Sequence, residues 1–471
     1  MIRLYGLLFI FLSGSLMAQP TKMNLLGHWR DPAVPGSSAY DNAFNEAWGI
    51  SVNGHEYGII GSTLGTHFID VTDPSKPFEA FLVPGKSNGT HVIHRDYDDY
   101  KCHLYAVCDE GISSLQIIDF SNLPEKLDVV YDSDELMIRV HNIYVDINKA
   151  RLYTCAENNR NGFFALGVYD ISNPTKPKFL KHFNEFGDIK SNHVHDAFVR
   201  NDTAYLNCGG NGFAIMDFSD IEQPKPIFTF LPGEYPQSGY NHSGWLTPDG
   251  STYVMADENH GSPLKVLDVK DITNTRVVSQ LTTFENQNKS IPHNPLVSCD
   301  YAYVSYYYDG LQVYNIKDGT RPILEYYYPT SILPNEMSYK GSWGNYPYLP
   351  SGNIIVADMQ NGMFILKGIE KLCNSVNSCE ISGIDLTNNS SENIRIYPNP
   401  AVDFLTIESY NDPIYEVRIL HSDLRLCSLK NIQYQENKVS MGISNLPPGI
   451  YFAACKLKYG GNIIRKFIIA K

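Results

Sequence analysis

Short apolar runs broken by polar turns recur along most of this chain, and one stretch carries the pattern most cleanly. Residues 141–177 read HNIYVDINKARLYTCAENNRNGFFALGVYDISNPTKP. Two apolar strands, 143–145 and 152–155, are joined by the polar turn 146–149. A turn rich in Asn and Gly, 157–162, leads to a third strand over 163–169. Asp170 and the SNPTKP run stop it, because Asp and Asn side chains bond their own backbone in turns and Pro cannot donate to a sheet ladder. A fourth strand follows at 178–183. Four antiparallel strands in about 50 residues make a unit that cannot bury both faces alone.

The third strand and its stop recur as GTHFIDVTDPSKP (65–77), SLQIIDFSNLPEK (114–126), ALGVYDISNPTKP (165–177) and GFAIMDFSDIEQPKP (212–226). Looser copies are PLKVLDVKDITNTR (263–276), GLQVYNIKDGTRP (310–322) and GMFILK (362–367). With Glu46, His91, His141, His195, His242, His293 and Trp343 as matched positions, the steps are 45, 50, 54, 47, 51 and 50 residues. Four-stranded repeats of this period predict an all-β fold, a seven-bladed β-propeller in which radial packing buries the blade faces. The seventh copy stops at Lys367 without a fourth strand. The strand-like stretch 24–30 (NLLGHWR) is expected to supply it and close the ring over residues 24–367, removing two exposed edges.

Beyond the repeats the pattern changes. Residues 368–393 are polar, rich in Ser and Asn, and read as a linker. Residues 394–471 alternate again, with strands at 394–396, 404–407, 416–420, 438–441, 450–454 and 463–468, which suggests a small Ig-like β-sandwich. At the other end, residues 1–18 (MIRLYGLLFIFLSGSLMA) have an early Arg3, a short apolar run and small residues before Ala18. That is the form of a secretory signal peptide, and it is too short for a membrane span. No other stretch has 18 consecutive apolar residues, so no transmembrane segment is expected.

Charge and cysteine content narrow the partners. The net charge of −14 divides into −19 over residues 19–393 and +4 over 394–471, with Arg3 making the balance. An acidic body repels phosphate backbones and argues against nucleic acid, whereas cations suit it. Nine cysteines leave at least one unpaired within a monomer. Cys373 and Cys379, in CNSVNSC, are disulfide candidates, which export permits. Cys108, Cys155 and Cys208 end the second strand of three successive repeats and read as small buried residues.

Two resemblances rest on specific residues. The tail, with IYPNPAVDFLTI (396–407), LPPGIYFAACK (446–456) and the ending KFIIAK (466–471), resembles the type A C-terminal sorting domain of the type IX secretion system of Bacteroidetes. That resemblance implies handling by the type IX machinery, export to the outer cell surface or medium, and removal of the domain. The body, through GTHFIDVTDPSKP and ALGVYDISNPTKP, resembles the LVIVD-repeat, choice-of-anchor B family. It implies a surface or secreted propeller and brings no activity with it.

Chemistry, if present, should gather where first strands begin. There Glu46, His91, His141, His195, His242, His293 and Trp343 would ring one channel mouth. Turns between second and third strands would add Asp109, Glu110, Glu157, Asp257, Glu258, Asp309 and Asp358. Convergent imidazoles and carboxylates suit a borderline divalent metal such as Zn²⁺. Two readings stay open. The five His and Glu46 could ligate a metal, or repeated duplication could have handed one His to every copy, each bonding a backbone carbonyl around a polar funnel. His193, His94 and His260 lie beside the ring positions and read as polar wall or turn residues. No H-E-x-x-H or phosphate-loop signature occurs. The Tyr clusters 306–308 and 326–328 read as alternating strand residues, with a sticky outward face for sugars or proteins as the other option. The sequence thus points to an exported scaffold that binds a ligand, glycan or protein, with a metal-dependent hydrolase or lyase as the alternative and Glu46 as its base.

Overall fold

The computed structural model describes residues 19–470 apart from 192, 284–288, 370–378, 380–393, 410–412, 422–426, 428, 436 and 458–461. The leader expected at 1–18, Cys373 and most of the linker lie outside the described residues. The chain divides into two compact units, Met1–Asn377 and Ser378–Lys471.

The first unit is an all-β propeller. Among the described residues, seven sheets of four or five strands follow one another. Their first strands are Phe44–Val52, Arg95–Tyr100, Asn142–Asp146, Asp196–Arg200, Asn241–Leu246, Pro295–Ser298 and Ser342–Tyr346; sheets 1 to 7 below follow this order. Each first strand contacts the first strand of the next sheet, and that of sheet 7 returns to that of sheet 1, so the circle is closed. Carboxylates stitch neighbouring sheets: Asp96 and Asp98 of sheet 2 accept the Ile143 and Val145 amides of sheet 3 at 2.6 and 2.7 Å.

The repeat's punctuation has a direct mechanical cause. Third strands end in Asp70, Asp119, Asp170, Asp217, Asp268 and Asn315, and each side chain accepts the backbone N–H two residues on. A second turn of the same kind follows at Asp73, Asn173, Asp220, Asp271 and Asp318. These Asx turns end one strand and aim the next. Just before the terminal Asp or Asn, the third-to-fourth pairing slips by one residue in all six of these sheets. Such bulges increase the local twist that a radial sheet needs. In sheet 3 the second hairpin is tighter than its Asn- and Gly-rich sequence suggests: pairing runs to Asn159↔Gly162, leaving two residues in the turn.

Apolar residues from adjacent sheets fill the wedges between them. Between sheets 3 and 4, Tyr153, Val168, Ala204, Leu206 and Phe218 are fully buried or nearly so. Removing that apolar area from water is the main drive for radial packing. Cys108, Cys155 and Cys208 are free and buried in this packing, while Cys102, Cys299 and Cys379 are disulfide-bonded.

Sheet 7 takes its outer strand from the N-terminal region: Leu25–Trp29 pairs antiparallel with Gly362–Leu366. Thr21–Lys22 adds a parallel fifth strand to sheet 6, against Tyr326 and Tyr327, so part of that Tyr cluster is covered by the chain itself. Tyr306, Tyr307 and Tyr308 are buried beyond the end of Tyr301–Ser305, which removes them as an outward aromatic face.

In the second unit, a four-stranded sheet (Ile394–Tyr397, Phe404–Ser409, Lys438–Gly442, Lys430–Gln435) and a three-stranded one (Ile414–His421, Gly449–Leu457, Asn462–Ile469) share one core that includes Leu405, Val439, Ile419 and Phe467. Among the described residues, no helix is long and apolar enough to cross a membrane.

Candidate functional site

Six aromatic rings close a circuit where the first strands begin. Ring centroids are separated by 5.0 Å from His94 to His141, 4.2 Å to His195, 4.0 Å to His242 and 4.4 Å to His293. The next steps are 4.9 Å to Trp343 and 5.2 Å back to His94. They border a cavity of about 220 Å³ whose lining includes Glu46, Asp96, Asp196 and Glu258.

The ring member in sheet 2 is His94, three residues past the expected His91. Arg95 pairs with Cys108 as Asn142 pairs with Cys155, which makes His94 the counterpart of His141. His91 is exposed and its Nε2 meets the Ser87 hydroxyl at 3.0 Å. Sheet 1 contributes no ring but places Glu46 in the cavity wall, where Oε2 accepts the Asn294 side chain and Oε1 the Ala47 amide. Gly344 is needed there: a Cβ would sit 1.7 Å from Glu46 Oε1.

The imidazoles are held by Nδ1. His195 donates to the His242 carbonyl at 3.1 Å, and His293 to the Trp343 carbonyl at 2.6 Å. His141 donates to Asp109 at 2.9 Å and His94 to Glu110 at 2.5 Å. His242 Nδ1 is buried without a hydrogen bond of normal geometry, beside the His293 carbonyl that accepts the Ser243 hydroxyl. In each held ring Nδ1 carries the proton, which leaves Nε2 with its lone pair. His242 and His293 direct Nε2 to Glu258, at 3.8 and 3.9 Å, and Tyr307 donates to the same carboxylate at 2.5 Å.

Burial sets the proton affinities. It holds His195 and His242 well below the usual imidazole value, helped by neighbouring imidazoles, and brings His293 down to about 3. Burial also depresses His94, but the bond to Glu110 outweighs it and the net shift is upward. Glu258 and Asp96 are pushed up by burial to about 7. Glu46 and Asp196 are raised by burial and by the charge of Asp96.

Among the described residues, two sets of potential metal ligands emerge. His195, His242 and Glu258 have ligand atoms within 4.8 Å of one another, and so do His94, Asp109 and His141. The other expected carboxylates do not reach the mouth. Glu157 is sealed inside sheet 3 by Thr154, Asn159, Tyr169 and His182. Asp257 is a fully buried partner of Lys265 at 2.7 Å. Asp309 accepts the Ser290 and Thr283 hydroxyls, and Asp358 holds the Gln360 and Asn361 amides of its own turn. His193 bonds the Tyr240 hydroxyl at 2.7 Å, and burial lowers its pKa to about 4. His260 is outside the ring, beside Tyr339.

Some features were not expected. Tyr40 and Tyr339 line the cavity, their rings edge to face at 5.8 Å. They belong to loops without repeat grammar, so no pattern marks them. Elsewhere Ser62, His67 and Glu79 form a hydrogen-bonded series at 2.7 and 2.5 Å that resembles a nucleophilic triad. Ser62 and His67 are fully buried, and the Ser62 hydroxyl is already used by the Leu64 and Gly65 amides. The series therefore braces sheet 1.

Residues 395–470 match the family described as Secretion system C-terminal sorting domain, and residues 161–185 match the LVIVD repeat. No curated protein matches the chain. Among solved structures, the RRP9 WD40 repeats align with a TM-score of 0.49 and 10% identity, over 74% of this chain and 99% of that one. The Cps50 (Swd1) β-propeller domain of Myceliophteria thermophila aligns at 0.47 and 11%, over 69% and 97%. The chain is a β-propeller that contains an LVIVD repeat and carries a C-terminal type IX sorting domain, which marks it for export to the cell surface or the extracellular space.

Proposed function

We propose that this exported propeller is a binding protein that holds a divalent transition-metal ion on His195, His242 and Glu258 and uses the ion's open side to capture a small polar ligand. The observation that carries the reading is the convergence of these three ligand atoms within 4.8 Å at the edge of an accessible cavity. His293, the next ring in the circuit, lies close enough to Glu258 to join the set. Two imidazoles and a carboxylate suit Zn²⁺ and its neighbours, and the depressed histidines already have the neutral form a metal requires. Bonds from Nδ1 to backbone carbonyls are the usual outer support of a metal-bound imidazole. The cavity volume favours a small ligand over a glycan chain or a protein surface.

One observation favours a second reading, a metal-dependent hydrolase or lyase. Asp96, raised by burial to about 7, lies in the range useful for general acid–base chemistry, and Glu46, also raised by burial, shares the cavity.

The test is elemental analysis of the full chain after chelation and reloading with Zn²⁺, alongside a His195→Ala/His242→Ala variant. Near-stoichiometric zinc, lost in a variant that keeps its cooperative unfolding, is the expected result. A wild-type chain that takes up no Zn²⁺, Cu²⁺ or Ni²⁺ would overturn the metal reading. Turnover of a small phosphate or carboxylate ester by the loaded protein would favour the enzyme.

A further inference from the structure

We propose that the mouth takes a second divalent ion on His94, His141 and Asp109, and that the two ions together bind a bridging oxyanion, a phosphate or a carboxylate. The proposal rests on the first-ion reading given above and extends it.

The second ligand set is as deliberately supported as the first. Glu110 orients His94 twice over. Its Oε1 accepts from His94 Nδ1, and its Oε2 accepts the Ile93 and His94 backbone amides, both at 3.0 Å. Asp109 accepts His141 Nδ1 with Oδ2, and no hydrogen bond occupies its other oxygen among the described residues. Imidazoles backed by carboxylates are better donors than unsupported ones. Both sets face one cavity, and they meet where the His141 and His195 rings touch at 4.2 Å. Ions bound on the two sides would therefore be close neighbours, the arrangement that clamps an oxyanion between two cations.

Charge balance points the same way. Glu46, Asp96, Asp196 and Glu258 line the cavity, and Asp109 stands beside it. Arg95 is the one basic side chain among the lining residues, and its guanidinium is turned away to the Ser62 and Ser87 carbonyls at 2.7 and 2.6 Å. Left bare, the mouth presents carboxyl groups and imidazoles to an anion, and no unengaged guanidinium or ammonium. With both ions seated, an anion gains its only cationic partners in the cavity. Tyr40 and Tyr339 provide a half-buried aromatic wall for the organic part of such a ligand.

The experiment counts ions. Full-length protein stripped with chelator is titrated with Zn²⁺ by calorimetry and its metal content measured after desalting. Three chains are compared: wild type, His94→Ala/His141→Ala, and His195→Ala/His242→Ala. A count of two for wild type and one for each variant is expected. Should the His94/His141 variant unfold, Asp109→Asn with His94→Gln leaves the His141 ring in place and is expected to lose the same ion. A wild-type count of one that persists in the His94/His141 variant overturns the second site and leaves the first standing. A count of zero overturns both. Inorganic phosphate and acetate are then titrated separately into the loaded protein. Binding of either at least tenfold tighter to the two-ion form than to a one-ion variant is expected, and the tighter of the pair identifies the oxyanion. Equal affinity for the two forms, or none, overturns the bridging role.

Discussion

The ring has two arcs built from the same position of the repeat yet finished differently. His195, His242 and His293 are 8, 3 and 3% exposed, and two of them lean their Nδ1 on backbone carbonyls of the next sheet. His94 and His141 are half-buried and lean on the carboxylates of Glu110 and Asp109. A carbonyl fixes the tautomer without adding charge, so burial dominates and the imidazole stays neutral. A carboxylate adds a full negative charge, which raises the proton affinity of His94 despite its burial. Duplication thus supplies a set of equivalent imidazoles, and the residue behind each one decides what it does.

The difference between the arcs can be tested in order of effect. The largest change is expected for His195→Ala/His242→Ala, which should weaken zinc binding on the deep arc by more than 100-fold, read by competition with a chromogenic chelator. A loss below tenfold would place the principal ion elsewhere. Asp109→Asn removes a proposed ligand of the shallow arc as well as the carboxylate behind His141, and should weaken that arc alone by more than about tenfold. An equal loss on both arcs would mean that they act as one site. Saturating the protein with Zn²⁺ at 100 times its dissociation constant should stabilise it by about 2.7 kcal/mol per site, seen as a shift in denaturant midpoint that chelator reverses.

The smallest effect is on pH dependence of the metal-free protein. His293 at about 3 and His193 at about 4, with His195 and His242 also depressed, stay neutral in the fold while the unfolded chain protonates near 6.5. Their contribution is present above 6.5 and lost as pH falls. Glu258 and Asp96, at about 7 in the fold against 4.5 and 3.8 unfolded, act in the opposite sense and gain stability as pH falls from 7 towards 4. The two trends oppose each other between 7 and 4, and below 4 the histidine loss continues, joined by that of depressed carboxylates such as Asp109 and Asp170. Denaturant midpoints should therefore change little across the first interval and fall steeply in the second. Glu258→Gln should make the decline start at higher pH. A midpoint that rises below pH 4 would contradict the assignment.

The repeat grammar made the propeller legible because each Asx turn is written in consecutive residues: Asp170 and Asn173 announce their own hydrogen bonds. The ring was legible in part. His91 and His94 both fit the spacing, and only strand pairing separates them. A usable signal lay in the cysteines, since 13 residues before Cys108 and Cys155 stand Arg95 and Asn142, each preceded by the ring histidine. Asp257 and Glu258 show what spacing cannot resolve: successive residues at a strand end point to opposite sides, so one is buried against Lys265 and the other opens into the cavity. Tyr40 and Tyr339 depend on loop geometry that no period encodes.

The pairing of Leu25–Trp29 with Gly362–Leu366 also governs the order in which the molecule can be completed. His28 reaches the Asn361 carbonyl across 333 positions, a loop whose closure would cost roughly 5 kcal/mol in an otherwise formless chain. Sheets formed in between shorten that path, so the seam is best shut last, after the intervening sheets have brought the two ends together. Both of its strands lie ahead of residue 367, whereas the sorting domain begins near 394. Cleaving that tail takes no strand from the ring, while trimming the chain past Leu25 unfastens it. The two ends of the propeller therefore differ in kind: one carries a sorting address that lends the ring no strand, and the other is a clasp.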